Sequence, residues 1–186
     1  MLIPNQIKER ASKIRLLVLD VDGVLTDGTL VYGPNGEEVK HFNVKDGVGI
    51  KLLAYYGIEV AIISAKDSLP LKRRISDLSI THAYTGCKDK LTALDELISQ
   101  LDIDYSEVAY CGDDVIDLKV MKQVGLAVAP QDAYSMVKEH AHIVTQLPGG
   151  KGVAREVADI LLASRMNLQD AYVKAMLPEF EDTFNK

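Results

Sequence analysis

Short apolar runs rich in β-branched residues alternate along this chain with longer segments of helical period. The runs at 15–21, 60–64, 82–86, 108–112, 126–129 and 143–145 are strand-like. Apolar spacing predicts helices at about 47–56, 67–78, 89–101, 114–124 and 131–140. A further helical stretch runs from Lys151 to Met166 and onward to Phe180, with Val153, Val157, Ile160 and Leu161 on one face. Leu16-Leu17-Val18-Leu19 is apolar on both faces, as a strand in the middle of a parallel sheet must be when helices cover it above and below. The pattern is that of an α/β fold, a three-layer parallel sheet with helices on both faces.

One stretch breaks the alternation. Thr29 to Tyr32 and Glu37 to Phe42 flank the turn Gly33-Pro34-Asn35-Gly36, so a β-hairpin is inserted at about 29–42, just after the first strand. A lone two-stranded hairpin is marginal in water. It packs either against matching hairpins of other subunits or back on its own domain. At 186 residues, 47% hydrophobic and 26% charged, the chain is sized for one domain over 1–186, with a helical C-terminal tail at about 166–186. The expected architecture is therefore Rossmann-like, with the hairpin as its small insertion.

Charge and composition exclude several function classes. With 21 Lys+Arg against 27 Asp+Glu the net charge is −6, and no basic stripe offers a nucleic acid its footprint. The apolar runs are far shorter than the roughly 20 residues that span a bilayer, so no membrane partner is expected. The amino terminus lacks the regions of a signal peptide. Cys87 and Cys111 are too few for a disulfide framework, and the expected location is cytoplasmic.

In an open α/β sheet, chemistry collects at the carboxyl ends of the strands. There the first strand ends in Leu19-Asp20-Val21-Asp22-Gly23 and the second in Ser64, the third is followed by Lys90, and the fourth ends in Gly112-Asp113-Asp114 with Asp117 beyond. Three or more carboxylates on one edge repel each other strongly in a low-dielectric cleft unless a cation holds them. A hard divalent ion with oxygen ligands, Mg2+, resolves that conflict.

These residues resemble the haloacid dehalogenase-like phosphohydrolases, whose four motifs occur here in order as DVDGVLTDG, the Ser of AIIS, the second Lys of CKDK, and GDDVID. A receiver domain uses a similar set, but there the acidic pair comes first and the phosphorylated Asp stands on a later strand. The resemblance implies Asp20 as nucleophile and Asp22 as general acid and base. It implies Ser64 and Lys90 on the non-transferring phosphate oxygens, with Asp20, the backbone carbonyl of Asp22 and Asp113 on Mg2+. Asp114 and Asp117 would orient Lys90 or metal-bound water. Asp22 points to phosphate-ester hydrolysis, since ion-moving members carry Thr at that position.

The likeness narrows further. FNVKDGVGIKLL, HAYTGCKDKL, VAYCGDDVIDLKVM, VGLAVAPQDA and GGKGVARE are similar to the 3-deoxy-D-manno-octulosonate 8-phosphate phosphatases, over nearly the whole chain. That resemblance implies a capless homotetramer built through the hairpins, with a neighbour covering each site, and a setting in lipopolysaccharide biosynthesis. It implies substrate contacts at Asp22, Asn43, Val44, Lys45, Asp46, Gly47, Lys51, Lys66, Arg74 and Lys90, a set suited to a sugar acid phosphate. The chain departs from the family in that set: Ala65-Lys66 stands where Gly-Arg is usual, and Lys45 and Lys51 where Arg is common. Arg grips a carboxylate with a two-point fork and Lys offers a point charge, so the change bears on substrate choice. Two alternatives stay open here. One is a nonulosonate (neuraminate-type) 9-phosphate substrate. The other is a non-catalytic domain like those fused to cytidylyltransferases, although no acidic motif residue has been lost.

Other signals stay structural in this reading. His140 and His142 are spaced for different faces of a helix, His41 and His82 are ordinary polar positions, and Cys111 is core. Gly149-Gly150-Lys151-Gly152 lacks the P-loop spacing and reads as the turn before a helix, with Lys151 or Arg155 as the residue that could close a site. The acidic, aromatic tail 178–186 is either disordered or tucked over a neighbouring site.

Overall fold

The computed structural model describes residues 3–177 and Phe180. In chain order its strands are β1 (Leu16–Leu19), β2 (Val31–Gly33), β3 (Gly36–Val39), β4 (Glu59–Ile63), β5 (His82–Tyr84), β6 (Val108–Cys111), β7 (Leu126–Ala129) and β8 (Ile143–Val144). The helices are α1 (Asn5–Ser12), α2 (Val44–Tyr55), α3 (Leu69–Asp77), α4 (Lys90–Leu101), α5 (Leu118–Met121), α6 (Ser135–His140), α7 (Val153–Ala163) and α8 (Leu168–Ala175). Six strands form one sheet in the order β5-β4-β1-β6-β7-β8, every pair parallel, and β2-β3 form the separate antiparallel hairpin.

Alternation along β1 divides the core. Leu17 and Leu19 pack with Leu52 and Leu53 of α2 and with Val157 and Leu161 of α7, while Leu16 and Val18 pack with Leu94 and Leu97 of α4 and with Val137 of α6. Both faces of the sheet are thus covered, as the apolar run LLVL requires. No cap domain interrupts the described residues, and no helix among them is long and apolar enough to cross a membrane. The chain leaves β1 for β4 and β5 on one side, then returns through α4 to β6 on the other. That reversal opens a crevice at the carboxyl end of β1.

Several elements differ from the expectation for local reasons. α2 begins three residues earlier, at Val44, because the Asn43 side chain caps it by accepting from the Lys45 N–H at 2.9 Å. Replacing Asn43 with Ala should cost about 1 kcal/mol of stability, read from a denaturant midpoint. The helix expected over 114–124 is reduced to a tight turn at Val115–Asp117 and the short α5, because the Asp117 carboxylate turns inward to accept bonds there. α6 is shorter than expected, beginning only at Ser135, and the hairpin strands cover less than 29–42. α1 was not among the expected helices: it buries only Ala11 fully, so its apolar period is faint. Most of the expected tail beyond α8, including all of 178–186 except Phe180, lies outside the described residues; Phe180 is buried in the core.

Candidate active site

Register sets the site. Leu19 stands opposite Ile62 of β4 and Cys111 of β6, and the Asp20 N–H donates to the Cys111 carbonyl at 3.0 Å, which carries the ladder one residue past β1. Asp20, Ser64 and Asp113 therefore leave three adjacent strands at nearly one level. Asp20 is 5% exposed and Ser64 is buried. Lys90, first residue of α4, reaches in with its Nζ 2.8 Å from Asp20 Oδ2 and 2.7 Å from Asp117 Oδ1.

Asp117 holds this arrangement together. Wholly buried, its Oδ1 also accepts from the Tyr110 hydroxyl at 2.7 Å, and its Oδ2 accepts from the backbone N–H groups of Asp113 at 3.1 Å and Asp114 at 3.2 Å. The motif glycine before it is required by packing, since a Cβ on Gly112 would lie 2.5 Å from the Asp117 Cγ. Asp114 itself caps the turn that follows.

One ammonium faces three carboxyl groups. Oxygens of Asp20, Asp113 and Asp117 lie within 4.8 Å of one another. Burial pushes Asp20 up to about 6, Lys90 pulls against it, and Asp117 adds to the rise. Burial, with Asp20, Asp117 and Asp114 as neighbours, pushes Asp113 up to about 7. Burial pulls the Lys90 ammonium down, but Asp20 and Asp117 more than offset it, so the group stays charged. The cluster is short of positive charge, which is the condition a divalent cation relieves.

Asp22 sits two residues beyond Asp20. Its Oδ1 accepts from Thr26 Oγ1 at 3.4 Å and pairs closely with the Lys40 ammonium, which also lies 2.7 Å from Glu37 Oε1. Sequence reasoning missed Lys40. A lysine ending a hairpin strand reads as a solvated residue, and nothing in its spacing marks it as buried.

Around these groups the expected substrate shell divides. Arg74 of α3 donates from Nη2 to the Asn43 carbonyl at 3.1 Å and stacks over Phe42, and a Cβ on Gly47 would lie 3.0 Å from that same Nη2. Val44, Lys45 and Lys66 are exposed, and the Lys66 N–H donates to Ser64 Oγ at 3.2 Å. Asp46 turns inward: its Oδ1 accepts the Arg155 N–H at 2.9 Å at the start of α7, its Oδ2 is buried without a hydrogen-bond partner, and burial pushes it up to about 6. Lys51 is set apart. It lines a small cavity with Glu59 and Thr81, where β4 and β5 begin, so the structure does not bring it to the Asp20 cluster.

The glycine-rich turn at 149–152 proves to be a buttress. The Gly150 N–H donates to the Val24 carbonyl at 3.0 Å and the Gly150 carbonyl accepts from Asn43 Nδ2 at 3.4 Å, tying α2 to the loop after Asp20. A Cβ on Gly149 would lie 2.2 Å from the Gly23 carbonyl oxygen. The Arg155 side chain turns away to Asp159 and over the Tyr172 ring. His142 accepts the Ala127 N–H, and the His140 ring bonds to the Met136 carbonyl. A cavity of about 380 Å3 lined by Ala65, Cys87, Lys90, Ile116 and Lys119, among others, opens beside the cluster. A larger one of about 500 Å3 lies at the amino-terminal edge of the sheet, by Arg10, Ser106 and Gly125, away from the carboxylates.

Known proteins are similar to this chain in sequence and in fold. The family model of haloacid dehalogenase-like hydrolases matches residues 74–157, which take in Lys90, Asp113 and Asp117. The 3-deoxy-D-manno-octulosonate 8-phosphate phosphatase of Yersinia pestis is 46% identical over 169 residues, 91% of this chain and 90% of that protein. The chain belongs to this family of phosphatases. Its Escherichia coli member is 48% identical over 162 residues, 87% of this chain and 86% of that one. The Yersinia pestis crystal structure superposes with a TM-score of 0.87 over 90% of each chain. The Moraxella catarrhalis phosphatase, solved with a magnesium ion, a phosphate ion and the KDO molecule, is 36% identical with a TM-score of 0.88, covering 94% of this chain and 100% of that chain.

Proposed function

We propose that this chain hydrolyses 3-deoxy-D-manno-octulosonate 8-phosphate in the presence of Mg2+, through an aspartyl-phosphate on Asp20. The observation that carries this reading is the buried Lys90 bridge between Asp20 and Asp117, with Asp22 two residues on at the carboxyl end of the central strand. The family relatives supply the substrate class.

The residues present fit a magnesium ion. Asp20 and Asp113 converge with both carboxyl groups pushed up by burial and by neighbouring carboxylates, and the missing Cβ of Gly23 leaves the space that the Asp113 carboxylate fills. Asp20, Asp113 and the backbone carbonyl of Asp22 would hold the ion, whereas Asp117 already accepts bonds on both oxygens. When bound, Mg2+ neutralises charge on the phosphate and on these carboxylates.

The protein groups then divide the work. Asp20 forms a bond to phosphorus as the ester oxygen leaves, and Asp22 gives that oxygen its proton. Water next attacks the phosphoryl group, Asp22 takes the water's proton, and the bond from phosphorus to Asp20 breaks. Lys90 and Ser64 hold the non-transferring oxygens, with Lys90 aimed by Asp117. Arg74, Lys45 and Lys66, with Asn43, Val44 and Gly47, form the side of the site that meets the sugar acid, and Asp46 holds that side to α7.

The exposed apolar residues Leu30, Val31, Tyr32 and Val39 of the hairpin support assembly through it into a homotetramer. The two free thiols suit a reducing compartment such as the cytoplasm.

Phosphate release with Mg2+ tests the function, using octulosonate 8-phosphate, neuraminate 9-phosphate and simple sugar phosphates in parallel. A kcat/KM at least about 100-fold higher for octulosonate, roughly 2.7 kcal/mol of discrimination, supports the reading. Equal, slow rates on all of them contradict it.

The raised carboxyl groups also set a pH dependence. Asp20 at about 6, Asp46 at about 6 and Asp113 at about 7 all lie above 3.8, so the metal-free fold binds these protons more tightly than the unfolded chain does. Their contribution to stability is full below about pH 4 and is lost as pH rises through 6 and 7. Mg2+ favours the ionised forms of Asp20 and Asp113, so its affinity rises over the same range. Thermal melts should show Mg2+ raising Tm more at about pH 8 than at about pH 5, with Asp113→Asn flattening the difference. An equal rise at both pH values in the native chain counts against the assignment.

A further inference from the structure

Lys40 is the one hairpin residue whose ammonium meets the groups assigned to chemistry. Its side chain is 0% exposed, an unusual position for a lysine, and the cost of burying the charge is offset by two carboxylates, Asp22 and Glu37. The Asp22 carboxylate is not held by the hairpin alone. The Thr26 hydroxyl, which accepts the Gly28 N–H at 3.2 Å, lies 3.4 Å from the same Oδ1 that Lys40 meets and 3.4 Å from the Val21 carbonyl, so its one proton is shared between them. Among the described residues no donor reaches Asp22 Oδ2. The Lys40 ammonium, with the Thr26 hydroxyl beside it, holds Oδ1 and leaves the other oxygen to meet a leaving group. We propose that Lys40 is a positioning residue for Asp22, delivered by the hairpin and held from behind by Glu37, so that Oδ2 is the oxygen presented to the ester. This rests on the reading of Asp22 as the proton donor.

The proposal separates two kinds of substrate. An alkyl phosphate needs a proton on its leaving oxygen, whereas a nitrophenyl phosphate expels a stable anion and does not. kcat/KM covers only the steps through ester cleavage, so a misaligned proton donor lowers it for the alkyl ester selectively. A hairpin residue that served only to hold the fold would lower both together.

The test measures kcat/KM on octulosonate 8-phosphate and on nitrophenyl phosphate, with Mg2+, for the native chain, Lys40→Met and Asp22→Asn. The Lys40→Met ratio of alkyl to aryl ester should fall at least about tenfold, in the direction set by Asp22→Asn. A ratio within about twofold of native in Lys40→Met, while Asp22→Asn lowers it, overturns the role of Lys40 and leaves Asp22 in place. An unchanged ratio in Asp22→Asn overturns the proton-donor reading and the proposal with it. Should Lys40→Met fail to fold, Glu37→Gln, which slackens Lys40 from its other side, should lower the ratio at least about threefold, and no change there overturns the proposal.

Discussion

Asp20→Asn should lower kcat on octulosonate 8-phosphate at least about 10^4-fold, because loss of a covalent nucleophile removes the path itself and leaves only binding and charge stabilisation. The same change should not unfold the chain. Asp20 is pushed up to about 6 by burial and by Asp117 against the pull of Lys90, so in the absence of metal its ionised form is held at a cost. An Asn side chain still accepts from Lys90, and Lys90 keeps its bond of 2.7 Å to Asp117. Melting curves without metal at about pH 8 should therefore place the variant at or above the native Tm. A variant that keeps a tenth of native turnover refutes the nucleophile. One that is inactive because it is unfolded says that Asp20 is structural first.

Gly23→Ala is expected to have the second largest effect, and for a different reason. Gly23 has φ +85° and its absent Cβ would lie 2.1 Å from Asp113 Oδ2, so alanine is strained there and collides with a carboxylate assigned to the ion. A shift of about 1 Å in a reacting group can cost about 100-fold in rate, and that loss is expected in kcat/KM together with weaker Mg2+ dependence. Gly28→Ala is the control. Gly28 also has positive φ, at +78°, but the nearest heavy atom to its Cβ is 3.7 Å away. It should lose about 1–2 kcal/mol of stability from the backbone while its Mg2+ dependence stays near native. Equal Mg2+ responses in the two variants would place the effect in the loop's backbone and not at Asp113.

Legibility from sequence followed the range of the forces involved. β1, β4 and β6 were readable because an apolar run buried on both faces is a local pattern, and Asp20, Ser64, Lys90 and Asp113 were readable because parallel strands deliver their ends to one edge. Helix starts were less so: Asn43 carries α2 three residues earlier through a side-chain bond that apolar spacing does not encode. Tertiary placement was hidden. Lys40 and Asp46 have the composition of solvated residues, yet one is buried against Asp22 and the other caps α7 from α2. Lys51 lies on the helix that Asn43 caps but, two turns along it, comes out by the amino ends of β4 and β5. The glycines at 149 and 150 read as a turn, and only the structure shows the backbone of the loop after Asp20 pressed against them.

The most direct measurement is a rapid acid quench of the chain turning over octulosonate 8-phosphate with Mg2+, followed by mass spectrometry of its peptides. A phosphoryl group on the peptide carrying Asp20, absent in Asp20→Asn and absent without substrate, is the result this account predicts. Release of phosphate with no phosphorylated peptide at any quench time, or with the group on another residue, would contradict it.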